Sequence, residues 1–489
     1  MKEQLVVVGN GMAGGRVVEE VLARGGADRY DITVFGAEPY GNYNRIMLSH
    51  VLAGEDVSEI YLNPLDWYAA SGVALHAGVR VVRIDRSSQK VFADDGQAVA
   101  YDALVLATGS RTFFPPMDGM WLDDRTLIPG VFGFRTLDDT VAMIDYARER
   151  SSAVVVGGGL LGLEAAYGLR QHGLDVHVVQ GGPVLMSQQL DSPAGAVLRG
   201  VLEKKVGLHV HTGRRPAAIR STGSVTGVLL DGGGTIDAEM VVVTAGVRPN
   251  VGLGVASGLT VERAIVVDDR MRSVDDPAIS VVGECAQHRG EVYGLVAPLW
   301  EQAAVLADVL TGADAIYTGS RTVTKLKVAG VDVTQMGLRG PESEDDELVQ
   351  YSEPRRGVHT SLVIRDDMLV GATLVGDTTQ VAALTQAFDR RLPLPENRAE
   401  LLFPQAGQPA AVSAADLDPS TQVCTCSGVT KEAICDAVAA GAGTAAGVMD
   451  ATRAGKGCGS CKSLVARIVE WAGTPAEGCA RCDLVAVGG

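Results

Sequence analysis

The chain has 489 residues, 46% of them hydrophobic and 21% charged, and its formal net charge is −17 at pH 7. This length and apolar content suffice for about three or four domains with separate buried cores, which excludes a disordered chain. The acidic balance argues against broad binding to a phosphate backbone, so we expect no nucleic-acid partner.

Three features of the chain indicate its location. The N-terminal residues lead into a glycine-rich stretch and lack the unbroken apolar core of a secretion signal. The longest weakly charged stretch, 153–163, is too short to cross a bilayer. Eight cysteines in such a chain point to a reducing compartment, where thiolates bind metals or clusters more often than they form disulphides. We therefore expect a cytoplasmic protein with no membrane partner.

Near the N-terminus, an apolar run leads directly into a Gly-x-Gly-x-x-Gly pattern, and a helix-like stretch at 15–24 follows. In a dinucleotide-binding turn the first glycine permits the bend, the second lets the pyrophosphate approach the backbone, and the third allows close helix packing. The next strand, predicted at 31–35, ends just before Glu38, which is placed to accept hydrogen bonds from ribose hydroxyls. The residues predicted to bind this first dinucleotide are Gly9, Gly11, Met12, Ala13, Gly14 and Glu38.

The same pattern recurs between an apolar strand and a helix-like stretch at 163–172, and a further strand is predicted at 175–179. Glycine-rich turns also arise for packing alone, but here both copies have the full strand, turn, helix and strand context. The sequence therefore predicts two dinucleotide sites. The residues predicted to bind the second dinucleotide are Gly157, Gly159, Leu160, Leu161, Gly162 and Glu164.

The identity of the second dinucleotide depends on the residues after its second strand. The position that often carries a ribose-binding acid is Gln180, and no Arg or Lys follows it until Arg199. A 2′-phosphate would lack its usual cation, so if this dinucleotide is a nicotinamide coenzyme, the sequence favours NADH over NADPH. The acid is missing as well, which keeps NADPH open.

Two further segments, 101–110 and 238–250, echo each other as apolar strands that end in small-residue turns. Together with 280–286 and the two glycine turns, they resemble the two-dinucleotide flavoprotein reductases, a group that includes glutathione reductase and the ferredoxin and rubredoxin reductases. The resemblance spans about residues 1–320 and implies FAD in the first turn and a nicotinamide in the second. It implies further cofactor contacts from Ala107, Thr108, Gly109, Gly246, Gly283 and Glu284. Most members have Asp at the position of Glu284.

Disulphide reductases of this architecture carry a cysteine pair after the first ribose strand, whereas residues 41–50 of this chain contain no cysteine. Thiol chemistry at this place is therefore excluded. The stretch instead resembles the flavin-contacting segment of the large subunit of NADH-dependent nitrite reductase and its relatives. The resemblance implies flavin contacts from Asn44 and Arg45, with a surface arginine as the alternative for Arg45. We interpret Cys285 as a small buried packing residue.

After residue 320 the apolar pattern changes and predicts a small α+β domain. Its predicted strands and helix lie at 323–328, 331–336, 361–364, 369–375 and 380–390. Lys325 and Lys327 are candidates for contact with the isoalloxazine ring, with exposed strand lysines as the alternative. We interpret the acidic run 342–347 as a solvated loop and residues 393–421, rich in Pro, Ala and Gln, as a linker.

Four cysteines in the C-terminal region are arranged as Cys424-x-Cys426 and Cys458-x-x-Cys461. Two tight pairs joined by a folded segment supply four soft ligands, as needed by a 2Fe-2S cluster or a structural zinc. Zinc ribbons usually separate both pairs by two residues, so a cluster is favoured over zinc, disulphides or idle thiols. The segment, with a helix-prone stretch at 430–440, resembles the bacterioferritin-associated ferredoxin module.

Other residues of this region have secondary roles. The basic side chains Arg453, Lys456 and Lys462 are expected to offset the negative charge of a cluster, with a solvated helix face as the alternative. Cys435 is expected to pack inside the module. The pair Cys479-x-x-Cys482 receives no assigned role.

The sequence thus predicts an α/β protein with two Rossmann-like dinucleotide-binding domains in a glutathione-reductase-like arrangement, a small α+β domain, and a small helical 2Fe-2S domain at the C-terminus. The predicted boundaries are 1–114 with 245–320 for the FAD domain, 115–244 for the NAD(P)H domain, 321–392 for the α+β domain, 393–421 for the linker, 422–472 for the 2Fe-2S domain and 473–489 for the tail.

The predicted cofactors suggest an order of electron flow. A nicotinamide gives up two electrons as a hydride and an iron-sulfur cluster accepts one, while a flavin does both. We therefore expect an NADH-dependent FAD and 2Fe-2S flavoprotein that passes electrons to a separate terminal reductase. The chain resembles the front part of the nitrite reductase large subunit and the electron-transfer subunit of assimilatory nitrate reductases. That resemblance implies a molybdenum nitrate reductase as the partner, with a siroheme nitrite reductase as the second choice.

The sequence stops at Gly489, before any cysteine set for a siroheme and 4Fe-4S centre, so we expect that the chain does not reduce nitrite alone. Two alternatives stay open. One is a subunit of an opine or amine oxidase, which would run electrons in the opposite direction. The other is a ferritin-docking or iron-mobilising module.

Overall fold

The architecture is that of a computed structural model that describes residues 2–321, 323–328, 331–377, 379–403, 414–415, 417–424, 427–456, 459 and 461–473. The helices within these ranges are α1 (Met12–Ala23), α2 (Leu48–Leu52), α3 (Leu65–Ala70), α4 (Leu137–Ala147), α5 (Leu160–Gln171), α6 (Ser192–Val201), α7 (Gly252–Ala256), α8 (Val296–Leu310), α9 (Val381–Arg390), α10 (Ala399–Leu402), α11 (Lys431–Ala439), α12 (Ala445–Thr452) and α13 (Lys462–Ala472).

The strands are given in chain order. Those before residue 115 are β1 (Glu3–Val8), β2 (Tyr30–Gly36), β3 (Asn42–Tyr43), β4 (Tyr61–Asn63), β5 (Val73–Ala77), β6 (Val81–Asp85), β7 (Lys90–Ala93), β8 (Ala98–Ala100), β9 (Ala103–Leu106) and β10 (Ser110–Thr112). The next are β11 (Val131–Gly133), β12 (Ser152–Val156), β13 (Asp175–Gln180), β14 (His209–Thr212), β15 (Pro216–Ser221), β16 (Val225–Leu230), β17 (Thr235–Asp237), β18 (Met240–Val243) and β19 (Val247–Pro249). The last are β20 (Ile265–Val267), β21 (Arg272–Ser273), β22 (Asp276–Val281), β23 (Ala286–His288), β24 (Val323–Val328), β25 (Val331–Gly337), β26 (Glu347–Glu353), β27 (Val358–Arg365), β28 (Met368–Val375), β29 (Gln422–Cys424) and β30 (Val429–Thr430).

The first sheet has eight strands in the order β23-β20-β21-β22-β9-β1-β2-β5. Its centre is parallel, with Val6 of β1 paired to Thr33 of β2 on one side and Leu104 of β9 on the other. A central parallel strand is covered on both faces, which explains why the last four residues of β1 are all apolar and buried. The sheet takes strands from two chain segments, and the second sheet lies between them in sequence.

The second sheet is parallel throughout and has the order β11-β18-β12-β13-β14. Its β12-α5-β13 unit repeats the β1-α1-β2 unit of the first sheet. Both helices begin three residues earlier than predicted, at Met12 and Leu160. The reason is that each helix starts directly after the second glycine of its turn, so the x-x-Gly part of the pattern is already helical.

The third sheet is antiparallel and has the order β24-β25-β28-β27-β26, with α9 packed against it. The four predicted strands and the predicted helix are all present. The edge strand β26 was missed. Its residues alternate between exposed and half-buried and supply little apolar signal, and its first residue, Glu347, belongs to the acidic run that was interpreted as a loop.

The C-terminal unit packs the hairpin β29-β30 and the helices α11 to α13 around an apolar core. The Thr430 hydroxyl accepts a hydrogen bond from the Ala433 N–H at 3.2 Å and caps α11, within the predicted helix-prone stretch. Leu417, from the predicted linker, is buried in the same core, and the Lys431 ammonium donates to its carbonyl at 2.6 Å. The end of the predicted linker therefore packs as part of this unit.

The first two sheets are joined by direct packing between their units. A Cβ at Gly168 of α5 would lie 2.8 Å from Leu52 Cγ of α2, so the two helices need a glycine at their crossing. β10 begins at the end of the first echoing segment and β19 lies near the end of the second, and the two strands pair with each other as an antiparallel ribbon. No helix in the described ranges is both long and apolar enough to cross a membrane.

Candidate functional site

A cleft of about 1920 Å³ opens at the carboxyl ends of the first two sheets, where ligands bind in doubly wound folds. Most of the predicted cofactor residues line it, since they follow the ends of parallel strands. Those residues are Gly9, Gly11, Met12, Ala13, Glu38, Arg45, Ala107, Thr108, Gly109, Gly157, Gly159, Leu160, Leu161, Glu164, Gly246, Gly283 and Glu284. Cys424 and Cys461 line the same cleft. One cavity thus joins both glycine turns to the cysteine unit.

In the first glycine turn, some glycines are needed for packing and another is available for binding. A Cβ at Gly14 would lie 1.9 Å from the Gly9 carbonyl oxygen, and Gly9 itself has a φ of +117°. These two positions need glycine for the fold. A Cβ at Gly11 meets only the Arg45 guanidinium, 3.8 Å away, and would point into the cleft. The second glycine therefore keeps open the space in which a pyrophosphate approaches the N-terminus of α1.

The second turn repeats this division. A Cβ at Gly162 would lie 1.9 Å from the Gly157 carbonyl oxygen, whereas a Cβ at Gly159 would have no heavy atom within 4 Å among the described residues. Gly159 lines the cleft at the N-terminus of α5. Each turn therefore has an open cradle of backbone N–H groups, which fits a dinucleotide pyrophosphate and is not required by packing.

Arg45 is held on the cleft wall by a network that sequence reasoning did not find. Its guanidinium pairs with the Glu38 carboxylate and donates to the Tyr43 hydroxyl at 2.8 Å. The Tyr43 hydroxyl donates to the other Glu38 oxygen at 2.6 Å, and burial raises the pKa of this phenol, so it stays neutral. This placement favours the flavin-site interpretation of Arg45 over a surface arginine. Glu38 retains lone pairs for a ribose hydroxyl, because each carboxylate oxygen has two.

Asn44 has a structural position beside this network. It is buried, and its side-chain oxygen accepts a hydrogen bond from the Ile46 N–H at 3.1 Å. This bond caps the short turn that carries Arg45. Asn44 therefore positions Arg45. Lys327 lies on β24, but its side chain is outside the described residues, as is that of Lys325. The first two residues of that strand, Val323 and Thr324, line the cleft.

Glu284, the residue that departs from the usual Asp, is fixed from two directions. Its carboxylate accepts a hydrogen bond from the Ser110 hydroxyl at 2.7 Å and pairs with the Arg135 guanidinium. Arg135 lies between β11 and α4 of the second unit. Its backbone carbonyl accepts a hydrogen bond from the Arg45 guanidinium at 2.9 Å and so joins the same network. The longer Glu side chain thus reaches a cation on the opposite wall of the cleft.

Gln180 and Arg215 face the second dinucleotide position. The Gln180 side-chain oxygen accepts a hydrogen bond from the Gly158 N–H at 2.8 Å and holds the glycine turn. Arg215 lines the cleft, and a Cβ at Gly181 would lie 3.1 Å from its Cγ. In the sequence, no Arg or Lys follows Gln180 until Arg199. The fold brings in Arg215 from the loop after β14, so a cation is present beside this position.

Two of the four predicted cluster ligands, Cys424 and Cys461, lie in the described residues, and their surroundings fit an iron-sulfur centre. Cys424 ends β29 and Cys461 precedes α13, and both are buried. A hydrogen bond from Cys461 lowers the pKa of the Cys424 thiol to about 6, and the backbone N–H groups of Gly455 and Ser427 contribute against the opposing effect of burial. Such N–H groups stabilise thiolate sulfur in a cluster. Cys426 and Cys458 lie outside the described residues, as do Cys479 and Cys482.

The cysteine unit is docked on the first unit through Arg453. Its guanidinium donates to the Glu19 carboxylate of α1 at 2.9 Å and to the Leu62 carbonyl and the Asn63 side chain at 2.7 and 3.2 Å. A Cβ at Gly428 would lie 3.2 Å from Trp300, which marks a second close contact. Arg453 therefore has an interface role, and its expected effect on the charge of the cluster stays a prediction.

Lys456 and Lys462, the other two basic residues expected to offset the cluster charge, make different contacts from Arg453. Lys456 pairs with Asp450 of its own unit at 2.7 Å, and Lys462 is exposed at the start of α13. Cys435 is buried in the core of the unit, as expected. Cys285 is fully buried as well, and burial raises the pKa of its thiol, in agreement with a packing role.

Comparison with known families accounts for most of the chain. Residues 3–304 match the family model of pyridine nucleotide-disulphide oxidoreductases. The chain belongs to this family. Residues 323–392 match the C-terminal domain of rubredoxin NAD+ reductase, and residues 422–471 match the BFD-like [2Fe-2S] binding domain. These matches confirm the predicted fold class and the cofactors FAD, NAD(P)H and a 2Fe-2S cluster, and they reject the zinc alternative.

This oxidoreductase has close curated relatives in Bacillus subtilis. It is 40% identical to a nitrite reductase [NAD(P)H] over 96% of this chain and 58% of the relative. It is 38% identical to an assimilatory nitrate reductase electron transfer subunit over 96% of this chain and 60% of the relative. The chain thus spans about three fifths of the length of these relatives. The recognised resemblance is confirmed.

Solved structures show the same fold. A ferredoxin reductase for the CYP199A2 system from Rhodopseudomonas palustris superposes with a TM-score of 0.71 at 27% identity, over 80% of this chain and 94% of that one. A putidaredoxin reductase in covalent complex with putidaredoxin gives a TM-score of 0.72 at 26% identity, over 82% and 98%. The oxidoreductase described here is therefore an NAD(P)H-dependent flavoprotein with an added 2Fe-2S unit.

The division between packing and binding glycines is testable. We expect Gly159→Ala to fold normally but to raise the KM for the nicotinamide coenzyme roughly tenfold, about 1.4 kcal/mol, because its methyl group occupies the pyrophosphate cradle. Gly162→Ala is the matched control and should lower the thermal unfolding temperature, since its methyl group meets a backbone carbonyl. Equal unfolding temperatures for the two variants, or an unchanged KM in Gly159→Ala, would contradict the assignment.

The role of Arg453 makes a second prediction. Arg453→Ala should weaken docking by about 1–2 kcal/mol after allowance for partial solvent exposure, or roughly five- to thirtyfold in the docking equilibrium. Rapid mixing with coenzyme should then show normal flavin reduction but slower cluster reduction. Arg467→Ala, at an exposed position on α13 of the same unit, should leave both rates unchanged. Equal rates in all three proteins would remove Arg453 from the interface argument.

Proposed function

We propose that this protein is a cytoplasmic NADH-dependent electron-transfer flavoprotein that passes electrons through its 2Fe-2S cluster to a separate terminal reductase, and we name an assimilatory molybdenum nitrate reductase as that partner. The observation that carries the proposal is the single cleft lined by both glycine turns and by Cys424 and Cys461. The similarity to an assimilatory nitrate reductase electron transfer subunit over 96% of the chain supports the choice of partner.

The cofactors divide the chemistry among them. When bound, the flavin supplies the conversion between two-electron hydride chemistry and the one-electron chemistry of the cluster. The chain supplies the positions: N–H groups at the N-termini of α1 and α5 face the pyrophosphates, and Arg45 and Glu284 line the region between them. Residues 41–50 contain no cysteine, so a dithiol relay at this place is excluded and the cysteines of the C-terminal unit are the exit for electrons.

A siroheme nitrite reductase centre is the second candidate acceptor. It is supported by the 40% identity to a nitrite reductase [NAD(P)H], of which this chain spans 58%. Both acceptors use the same cleft and cluster. They are distinguished by adding each purified acceptor, with its own substrate, to the NADH-reduced flavoprotein and measuring which of the two reoxidises the cluster.

Anaerobic rapid mixing of the cofactor-loaded protein with NADH tests the proposal. We expect flavin bleaching followed by the paramagnetic signal of a reduced 2Fe-2S cluster. Cys461→Ser should keep the bleaching and lose the cluster signal, because it removes a cluster ligand. Cys435→Ala, which changes a buried cysteine of the same core, should retain both signals.

The same experiment separates the alternative functions. An oxidase subunit that runs electrons from substrate to acceptor would show no flavin bleaching with NADH. A ferritin-docking or iron-mobilising module would bind ferritin without turning over NADH. Either result, obtained with protein that has a full complement of flavin and cluster, would refute the proposed direction of electron flow.

Coenzyme choice is a separate prediction. We expect a higher kcat/KM for NADH than for NADPH, since Gln180 is uncharged and the fold brings one arginine, Arg215, beside it. Arg215→Ala should lower the remaining NADPH activity by roughly tenfold, about 1.4 kcal/mol, with little change for NADH. Arg214→Ala is the matched control, because its guanidinium donates to the Asp231 carbonyl. A higher kcat/KM for NADPH in the wild-type protein would contradict the NADH preference.

A further inference from the structure

A cluster of imidazoles lies outside the cofactor cleft, at the edge of the second sheet. β13 and the edge strand β14 run parallel, and His177 is paired in register with His209. Alternation along the strands places Asp175 and His177 on one face of β13, while the neighbours Val176 and Val178 are buried on the other face. The polar face of this sheet edge therefore collects nitrogen and carboxylate ligands from two strands.

The ligand atoms of this cluster converge. His209 Nε2 lies 3.0 Å from one Asp175 oxygen, and His177 Nε2 lies 3.7 Å from the other. All three ligand atoms lie within 4.8 Å of one another. Ligands at about 2.0–2.2 Å from a tetrahedral zinc ion are roughly 3.3–3.6 Å apart, so small side-chain rotations suffice to close this set around one ion.

A fourth residue orients the set. His211 Nε2 lies 3.0 Å from His177 Nδ1, and the two rings are stacked with centroids 5.3 Å apart. Histidines that bind a metal through one ring nitrogen commonly have the other nitrogen in a hydrogen bond, which fixes the tautomer. The contact with His211 leaves His177 Nε2 directed toward Asp175 and His209.

We propose that Asp175, His177 and His209 form a binding site for one divalent transition-metal ion of the zinc class, oriented by His211. Two imidazoles and one carboxylate suit zinc, whereas magnesium and calcium prefer oxygen ligands alone. Asp175 and His209 are the more exposed members, with side-chain exposures of 57% and 53%, so solvent can reach the ion. The site differs from the cluster site in its ligands, which are nitrogen and oxygen in place of sulfur.

The site has a structural consequence for the coenzyme region. β13 ends at Gln180, and the loop after β14 carries Arg215, and both residues line the cleft. An ion that joins Asp175 and His177 to His209 fastens the edge strand β14 to β13. Zinc binding should therefore raise the thermal unfolding temperature of the protein.

Calorimetric titration of the cofactor-loaded, untagged protein with Zn²⁺ under anaerobic conditions tests the proposal. We expect one equivalent to bind without loss of iron and the unfolding temperature to rise. His209→Ala, at an exposed position, should weaken zinc binding by at least about tenfold, and His211→Ala should weaken it by roughly tenfold as well. His50→Ala removes a half-buried imidazole that is paired with a carboxylate, Glu55, and this variant should bind zinc like the wild type.

Zinc-edge X-ray absorption on the same samples identifies the ligands. A first shell of nitrogen and oxygen supports the site, and a shell of sulfur places the zinc at the cluster cysteines and overturns the proposal. It is also overturned if the wild type binds no zinc, or if His209→Ala binds it as tightly as His50→Ala does. Flavin content and flavin reduction by NADH show that each variant is folded, so a lost zinc signal cannot be attributed to misfolding.

Discussion

One guanidinium determines where the cluster cysteines face. Arg453 reaches from the C-terminal unit to Glu19 of α1 and to the Leu62 carbonyl of β4, both in the unit that carries the first glycine turn. Cys424 and Cys461 line the cofactor cleft because this unit is seated there. Electron transfer requires donor and acceptor to lie close together, so the role of these two cysteines in electron transfer depends on the Arg453 contact. The N-terminus of α1 faces the cleft and the same helix holds Arg453, which links dinucleotide binding and cluster docking within one rigid element.

The charges around the cleft are arranged in compensated pairs. Arg45 is paired with Glu38, and Arg135 with Glu284, so the wall carries little net charge from these four side chains. Half-buried ions are costly unless they are paired and hydrogen-bonded, and here each pair also binds a hydroxyl, from Tyr43 or Ser110. At the two glycine turns, the backbone N–H groups at the helix N-termini supply attraction for the pyrophosphates. The side chains instead fix the two units against each other, since Arg135 and Glu284 come from different sheets.

Local patterns in the sequence predicted a large part of this structure. Two glycine turns in full strand and helix context, and a cysteine spacing that resembles a ferredoxin module, singled out residues that the fold brings to one cleft. The sequence did not predict ion pairs between residues that are far apart in the chain, nor a strand with a weak apolar pattern. Arg135 lies 149 positions from Glu284, and Arg453 lies 434 positions from Glu19. No periodicity links such residues. The edge strand β26 was missed because its side chains alternate only between exposed and half-buried.

The position of the cysteines explains how this member of a disulphide oxidoreductase family works without a disulphide beside the flavin position. The stretch that would carry the pair, 41–50, presents Arg45 to the cleft, and Cys285 is fully buried with its thiol pKa raised by burial, which makes it a poor nucleophile. The thiols that do line the cleft belong to a unit attached at the far end of the chain, and hydrogen bonding lowers the pKa of Cys424. A thiol that ionises easily serves as a cluster ligand, because only the thiolate binds metal. The cysteines that line the cleft thus belong to the docked C-terminal unit, which matches a BFD-like [2Fe-2S] binding domain, and such a cluster accepts one electron at a time.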